Sequence, residues 1–212
     1  MRVANAMMSI DSIYLQRIEA LLASGRRVLL GLVGAPGAGK STLAQALHAH
    51  FGAISQVVPM DGFHLAQAEL ERLGRAHRKG APDTFDSAGY VALLARLRQP
   101  HSDEVVYAPD FRRDLEEPIA GAIAIHAQTQ LLICEGNYLL LDEGHWSKIP
   151  ALLDEVWYVD VPDDLRQARL VARHRQFGRS QEAAEAWVQT TDEPNARRIA
   201  QSKSKADVIF KG

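Results

Sequence analysis

The sequence predicts a three-layer α/β fold in which a mostly parallel, five-stranded sheet is flanked by helices. Short apolar runs alternate with longer segments of helical periodicity along the chain, and parallel strands need such helical crossovers between them. The chain has 212 residues, of which 47% are hydrophobic. This content suits one domain covering residues 1–212 and is too small for two ordinary domains.

The predicted strands are five short runs, each rich in β-branched residues. The first lies between Gly25 and Gly34 and is apolar almost throughout, as expected of a strand buried on both faces. After it, Leu43, Leu47 and Phe51 recur at helical spacing. The predicted strands cover residues 28–33, 54–59, 131–134, 156–161 and 208–210, and the predicted helices cover residues 40–51, 65–73, 90–97, 163–177 and 181–189.

Three further segments complete the predicted organisation around a strand–loop–helix–strand core at residues 24–60. Residues 104–126 contain two β-like stretches, 105–108 and 119–126, around a polar turn, which predicts a hairpin or flap outside the main sheet. Residues 163–190 form a predicted lid. Residues 1–22 are interrupted by Asp11, Arg17 and Glu19, so they predict a helix leading into the domain rather than a signal peptide or membrane span.

Composition excludes some classes of partner. The formal net charge of -2 and the pI near 6.4 provide no global basic field that would attract nucleic acid or an anionic membrane. Cys134 is the only cysteine, so no intramolecular disulfide can form, as is usual in a reducing compartment. We therefore expect a cytoplasmic protein with no nucleic-acid or membrane partner. The sequence leaves the oligomeric state open, a homodimer included.

A glycine-rich motif lies between the first predicted strand and the following helix. Its glycines let the backbone curl so that several N–H groups face phosphate oxygens, and the helix adds its positive N-terminus. Lys40 would supply a charge to the β- and γ-phosphates, and the Ser41 hydroxyl would bind Mg²⁺. The pattern G-x-x-x-x-G-K-[ST] thus predicts an ATP phosphate site formed by Gly34, Ala35, Pro36, Gly37, Ala38, Gly39, Lys40, Ser41 and Thr42.

Two acids follow predicted strands: Asp61 after residues 54–59 and Glu135 after residues 131–134. Open α/β sheets bind ligands at the carboxyl ends of their strands. We interpret Asp61 as a catalytic group that accepts the proton of an attacking hydroxyl or holds the metal, and Glu135 as a metal ligand together with Ser41. The alternatives are a loop or capping aspartate and a loop glutamate.

Arginines recur along the predicted helix 163–177. Arg166, Arg169 and Arg173 are spaced by three and four residues and share one face, and Arg179 follows beside Gly178. Such arginines suit a lid that closes over ATP, and Arg169 and Arg173 are predicted to stabilise the transferring phosphoryl group. An exposed basic face is the alternative interpretation.

Substrate specificity is expected to lie in loops. The segments 78–86 and 110–114 combine cations, turn residues and carboxylates, as a substrate-facing loop would, although the same composition suits a solvated loop. The predicted acceptor pocket contains His64, Arg78, Lys79, Phe85, Tyr107, Arg112, Arg113, Tyr138 and Asn195, with His77 and Phe111 as further candidates.

Over nearly its whole length the chain resembles the uridine kinase, phosphoribulokinase and bacterial pantothenate kinase superfamily of P-loop enzymes. The motif at 34–41 matches the phosphate loop of that superfamily, and Glu135-Gly136 matches its E-G after a buried strand. Asp61-Gly62-Phe63 looks like the pantothenate kinase version of the catalytic aspartate segment, and residues 78–86 are similar to its substrate loop. The arginines at 166–173 resemble the uridine kinase lid, and residues 206–209 resemble its final strand.

Within the superfamily, the whole-chain likeness is strongest to short bacterial kinases labelled as fructose-transport-system kinases or as nucleoside/nucleotide-kinase-like proteins. The runs 58–64, 135–140 and 195–197 carry this likeness. The resemblance implies an ATP- and Mg²⁺-dependent kinase that transfers the γ-phosphate to a hydroxyl of a small metabolite, either a sugar of the fructose type or a nucleoside. A pantothenate-type acceptor is the alternative, and a regulatory P-loop NTPase without a metabolite substrate is the alternative from another class.

Overall fold

The computed structural model describes residues 10–211, and its strands form two sheets. Five strands form one parallel sheet, in the order β2-β5-β1-β6-β7, whereas β3 and β4 form a separate antiparallel hairpin. The strands are β1 (Val28–Val33), β2 (Ser55–Pro59), β3 (Val106–Arg112), β4 (Glu117–Ile125), β5 (Leu131–Glu135), β6 (Glu155–Asp160) and β7 (Val208–Lys211). The helices are α1 (Ser12–Leu22), α2 (Lys40–Phe51), α3 (Gln67–Arg72), α4 (Ser87–Arg98), α5 (Asp163–Gln176), α6 (Gln181–Trp187) and α7 (Glu193–Ala200).

Strand β1 lies in the middle of the sheet and is buried on both faces. Leu29 and Val33 belong to one hydrophobic core and Leu30 and Leu32 to the other, because successive side chains of a strand point to opposite faces. Helix α4 and the β3–β4 hairpin cover the first face, and α1 and α2 cover the second. The predicted three-layer fold is confirmed.

The predicted strands of the main sheet agree with the observed ones to within one residue at each end. Helix α4 begins three residues earlier than predicted, because the Asp86 side chain caps it by accepting a hydrogen bond from the Gly89 N–H at 2.8 Å. The predicted helix 181–189 ends at Trp187, where a π-helical turn (Val188–Asp192) leads into α7, a helix that was not predicted. Helix α1 accounts for part of the predicted N-terminal helix, and residues 1–9 lie outside the described residues. Within residues 10–211, the helices lack the combined length and apolar character needed to cross a bilayer.

The parallel register aligns the carboxyl ends of three neighbouring strands. Strand β5 lies between β1 and β2, and Glu135 at its end pairs with both Leu32 of β1 and Pro59 of β2. Two residues beyond these partners, the chain reaches Gly34 and Asp61. The sheet therefore brings the glycine-rich loop and both predicted acids to one edge.

A buried ion pair supports the loop from below. The guanidinium of Arg166, only 2% exposed, donates hydrogen bonds to Glu193 at 2.6 Å, to Asp163 at 3.0 Å and to the Pro36 carbonyl oxygen at 3.4 Å. Arg166 was predicted to present its charge to ATP from the lid. The structure places this side chain in the interior instead, where it connects α5 and α7 to the phosphate loop.

Replacing Glu193 by Gln should destabilise the protein, because the Arg166 guanidinium would keep its burial and lose its buried countercharge. We expect the free energy of unfolding, measured by urea denaturation, to fall by about 3 kcal/mol. The double variant Arg166→Met/Glu193→Leu removes both charges and should recover much of this loss. A loss below about 1 kcal/mol in Glu193→Gln would show that the pair is not a major support of the loop.

Candidate active site

The glycine-rich loop joins β1 to α2 in a tight curl. Gly37 and Gly39 adopt φ angles of 80° and 95°, which residues with a side chain rarely adopt. A Cβ at Gly37 would also lie 2.7 Å from the backbone oxygen of Arg166. Gly39 is the N-cap of α2 and makes no side-chain capping bond. The first-turn N–H groups of α2 are therefore left for an anion.

Lys40 extends back over the loop and is buried. Its ammonium group donates hydrogen bonds to Asn137 Oδ1 at 2.6 Å and to the carbonyl oxygens of Gly34 and Ala35 at 3.0 and 3.3 Å. All three acceptors are uncharged. Burial lowers the pKa of Lys40 to about 8, so an incoming phosphate would find a cation whose charge is only partly compensated.

Asp61 lies across the same edge, just beyond β2. Its carboxylate accepts a hydrogen bond from the Arg113 guanidinium at 2.9 Å, and its backbone oxygen lies 2.8 Å from His64 Nδ1. Burial opposes ionisation, but nearby positive charge, including that of Arg113 and Lys40, outweighs it and lowers the pKa of Asp61. Asp61 is therefore a carboxylate at neutral pH, able to accept a hydrogen bond from an alcohol.

Glu135 lies between the loop and Asp61. Ser41 Oγ donates a hydrogen bond to Glu135 Oε1 at 2.9 Å. Burial and the charge of Asp61 raise the pKa of Glu135, and a bound cation would reverse this effect. A hydroxyl and a carboxylate beside a phosphate site fit Mg²⁺, which uses one or two protein oxygens together with phosphates and water. Residues 10–211 contain no cluster of three or more His, Cys, Asp or Glu side chains suited to holding a metal by themselves.

One cavity of about 540 Å³ connects these groups. Its far wall is formed by residues of the β3–β4 hairpin, of the loop after α3 and of the α5–α7 segment. The predicted site residues and further candidates that it brings together are Pro36, Gly37, Lys40, Ser41, Asp61, His64, Lys79, Phe85, Phe111, Arg113, Glu135, Arg173, Arg179 and Asn195.

Other predicted substrate residues do not line this cavity. Arg78 forms an ion pair with Asp83 at 2.7 Å, and Arg112 forms one with Asp114 at 2.7 Å. Tyr107 is 60% exposed on the hairpin. Tyr138 is buried, and its hydroxyl donates a hydrogen bond to the Gly80 carbonyl, so it supports the 78–86 loop from beneath. The further candidate His77 is exposed and also lies outside the lining.

Further predicted site residues, in the glycine-rich loop and on α5, lie outside the lining of this cavity. Arg169 is exposed on α5, and its Nη1 lies 3.5 Å from the position of a Cβ at Gly39, which places its guanidinium beside the loop. Ala35 and Ala38 border a second cavity of about 620 Å³ that extends to Lys203. The lining residues of the 540 Å³ cavity do not include the remaining loop positions Gly34, Gly39 and Thr42.

Several cavity residues were missed by the sequence interpretation. Asn137 contacts Lys40, and its place two residues after Glu135 at a strand end was a usable signal. In the α5–α7 segment, the cavity residues His174 and Asp192 have no comparable signal in the sequence. His174 Nε2 lies 2.8 Å from Asp192 Oδ2, and this contact depends on the π-helical turn. In the same region Arg179 stacks 4.0 Å above the Trp187 ring.

A phosphate loop at the end of the central strand, with acids at the ends of the next two strands along the sheet, defines the protein as a P-loop kinase of small molecules. Residues 29–212 match the model of the phosphoribulokinase/uridine kinase family, and the chain belongs to that family.

Individual relatives agree with this membership. A protein of Schizosaccharomyces pombe named as a candidate uridine kinase is 38% identical over 175 residues, which cover 78% of this chain and 74% of the relative. An ATP-dependent kinase-like protein of Aspergillus versicolor is 36% identical over 161 residues, covering 72% of this chain and 94% of the relative. The crystal structure of a candidate fructose transport system kinase from Silicibacter sp. TM1040 matches with a TM-score of 0.83 at 39% identity, covering 96% of this chain and 99% of that one.

The position of Lys40 predicts that ATP binding takes up protons at alkaline pH. The free protein loses the Lys40 proton as the pH rises through about 8, whereas a bound phosphate favours the ammonium form. Calorimetry in buffers of different ionisation enthalpy should show uptake rising from about 0.2 proton at pH 7.5 to about 0.9 at pH 9. Lys40→Met should bind ATP more weakly and lose this uptake. Equal uptake in both proteins would contradict the assignment.

Proposed function

We propose that this protein transfers the γ-phosphate of ATP to a hydroxyl of a sugar, of the fructose type, or of a nucleoside, with a pantothenate-type alcohol as the alternative. The observation that carries the proposal is that Lys40, in the turn after β1, and Asp61, just after β2, line a single cavity at the carboxyl edge of the sheet. The names of the relatives from Silicibacter and S. pombe support a sugar and a nucleoside, respectively. A regulatory NTPase would need no space for a second ligand, so the cavity favours a kinase.

In this mechanism the glycine-rich loop holds the phosphates of ATP. The N–H groups at the start of α2 and the Lys40 ammonium compensate their charge. Ser41 and Glu135 are the residues that would hold Mg²⁺, which supplies charge neutralisation at the phosphates. Arg173 lines the cavity, and Arg169 lies beside the loop. Both can therefore stabilise the negative charge that develops on the transferring phosphoryl group.

Asp61 acts on the acceptor. Its carboxylate accepts a hydrogen bond from the acceptor hydroxyl and orients that oxygen toward the γ-phosphorus. A bond forms between the acceptor oxygen and phosphorus while the bond from phosphorus to the β,γ-bridging oxygen breaks. The electron pair of the broken bond leaves with ADP, and the hydroxyl proton passes to Asp61. Before this transfer, and again once Asp61 has released the proton, the Arg113 guanidinium compensates the negative charge of the Asp61 carboxylate.

Replacing Asp61 by Asn should separate binding from transfer. The amide keeps the size of the side chain and cannot take the proton, so we expect ATP affinity to change less than about threefold and turnover to fall by about 10²–10⁴-fold. A coupled assay of ADP release with sugars, nucleosides and pantothenate as acceptors measures this loss. Asp142→Asn, at an exposed carboxylate outside the cavity, is the matched control. Equal turnover in Asp61→Asn and the wild type would remove Asp61 from the catalytic role.

A further inference from the structure

Two cations that the phosphate loop does not use lie on the acceptor side of the cavity. Lys79 comes from the loop after α3, and Arg113 comes from the turn of the β3–β4 hairpin. The Lys79 ammonium lies 5.5 Å from the centre of the Phe111 ring, and the Arg113 guanidinium lies 5.9 Å from the same point. Separate segments of the chain thus direct positive charge toward one wall of the cavity.

The hydrogen bonds of Lys79 go to uncharged oxygens. Its ammonium donates to the backbone carbonyl of Glu116 at 2.5 Å and reaches the side-chain amide oxygen of Gln67 at 3.5 Å. Among the acids nearby, Asp114 pairs with Arg112, and Glu117 accepts the backbone N–H of Gln67 at 3.0 Å. Glu116 also lines the cavity, and its recorded contact with Lys79 is through its backbone carbonyl. The charge of Lys79 therefore remains available to a ligand.

Arg113 contacts Asp61 through one nitrogen, Nη2, at 2.9 Å. A guanidinium carries five donors in a planar fork, so Arg113 can hold a second acceptor while it keeps this contact. An anion bound there would lie next to the group proposed to take the hydroxyl proton, which is the arrangement that a substrate bearing both a hydroxyl and an anion requires.

His64 adds no countercharge to this region. Its ring lies between Phe85 and Phe111, with ring centres 4.0 and 4.7 Å apart. Burial lowers the pKa of His64 and outweighs the opposite effect of Asp61, and the positive charges of Lys79 and Arg113 also lower it. In the neutral ring Nδ1 donates to the Asp61 carbonyl oxygen, so Nε2 carries no proton and can accept a hydrogen bond from a hydroxyl. The positive potential for an anion comes from Lys79 and Arg113.

We propose that the phosphoryl acceptor is an anionic alcohol, whose carboxylate or phosphate group is held by Lys79 and Arg113 while its hydroxyl faces Asp61. This inference rests on the proposed kinase function and narrows its substrate class. Among sugars it selects phosphorylated or carboxylated members over neutral ones.

Matched acceptors test the inference. We would measure ATP consumption with fructose and fructose 6-phosphate, ribose and ribose 5-phosphate, and glycerol, glycerate and glycerol phosphate. Within at least one set, the anionic member should have a kcat/KM at least tenfold above that of its neutral counterpart. Comparing glycerate with glycerol phosphate shows whether the site prefers a carboxylate or a phosphate group. Lys79→Gln should raise the KM of the anionic acceptor about tenfold or more and change kcat little. Lys148→Gln, at an exposed lysine outside the cavity, should behave as the wild type.

A binding measurement keeps the test independent of the acceptor chosen. Inorganic phosphate and acetate are titrated by calorimetry into protein saturated with Mg²⁺ and a non-hydrolysable ATP analogue, which fills the phosphate loop. We expect one further anion site, weakened about tenfold or more in Lys79→Gln and unchanged in Lys148→Gln.

Two outcomes overturn the inference: preference for neutral acceptors, or an anion site that is absent or insensitive to Lys79→Gln. Efficient phosphorylation of neutral acceptors would overturn it while leaving the kinase proposal intact. A Lys79-dependent anion site in a protein that phosphorylates none of these acceptors, and neither nucleosides nor pantothenate, would support the anion site and count against the proposed function.

Discussion

The parallel register of β2, β5 and β1 is the constraint on which the site depends. It sets the ends of three strands side by side, so that the phosphate loop, Glu135 and Asp61 meet although they are far apart in sequence. Because β1 is buried on both faces, a slip by one residue would require both close-packed cores to repack. Beneath the loop, the Arg166–Glu193 pair couples the same edge to α5 and α7. The geometry of phosphoryl transfer is thus a product of core packing.

The charges of the site are arranged for ligands that bring negative charge with them. Lys40 is bound to uncharged oxygens and has a pKa of about 8, Arg173 lines the same cavity, and Lys79 contacts uncharged oxygens on the acceptor side. Asp61 keeps its ionised form because Arg113 and the other cations compensate it. The phosphates of ATP on one side and an anionic alcohol on the other would compensate the positive charges of the cavity.

Much of the fold and part of the site could be predicted from the sequence because the signals are local. Strands buried on both faces form short apolar runs, and the glycine-rich loop with Lys40 has a fixed spacing. Asp61 and Glu135 follow from their places at strand ends. What was missed depends on contacts between distant segments. The burial of Arg166 requires Glu193, 27 residues further along the chain, and the pairing of Arg113 with Asp61 spans 52 residues. Helix α7 follows a π-helical turn with no sequence pattern of its own.

Both proposals require Lys40 and Asp61 to face each other across the space where the γ-phosphate and the acceptor meet. A crystal structure of the protein with Mg²⁺ and a non-hydrolysable ATP analogue tests this most directly. We predict that the terminal phosphate lies within hydrogen-bonding distance of Lys40 Nζ and that the Asp61 carboxylate faces it across an open gap large enough for an alcohol. A terminal phosphate bound outside the glycine-rich loop, or an Asp61 side chain turned away from it, would contradict the account.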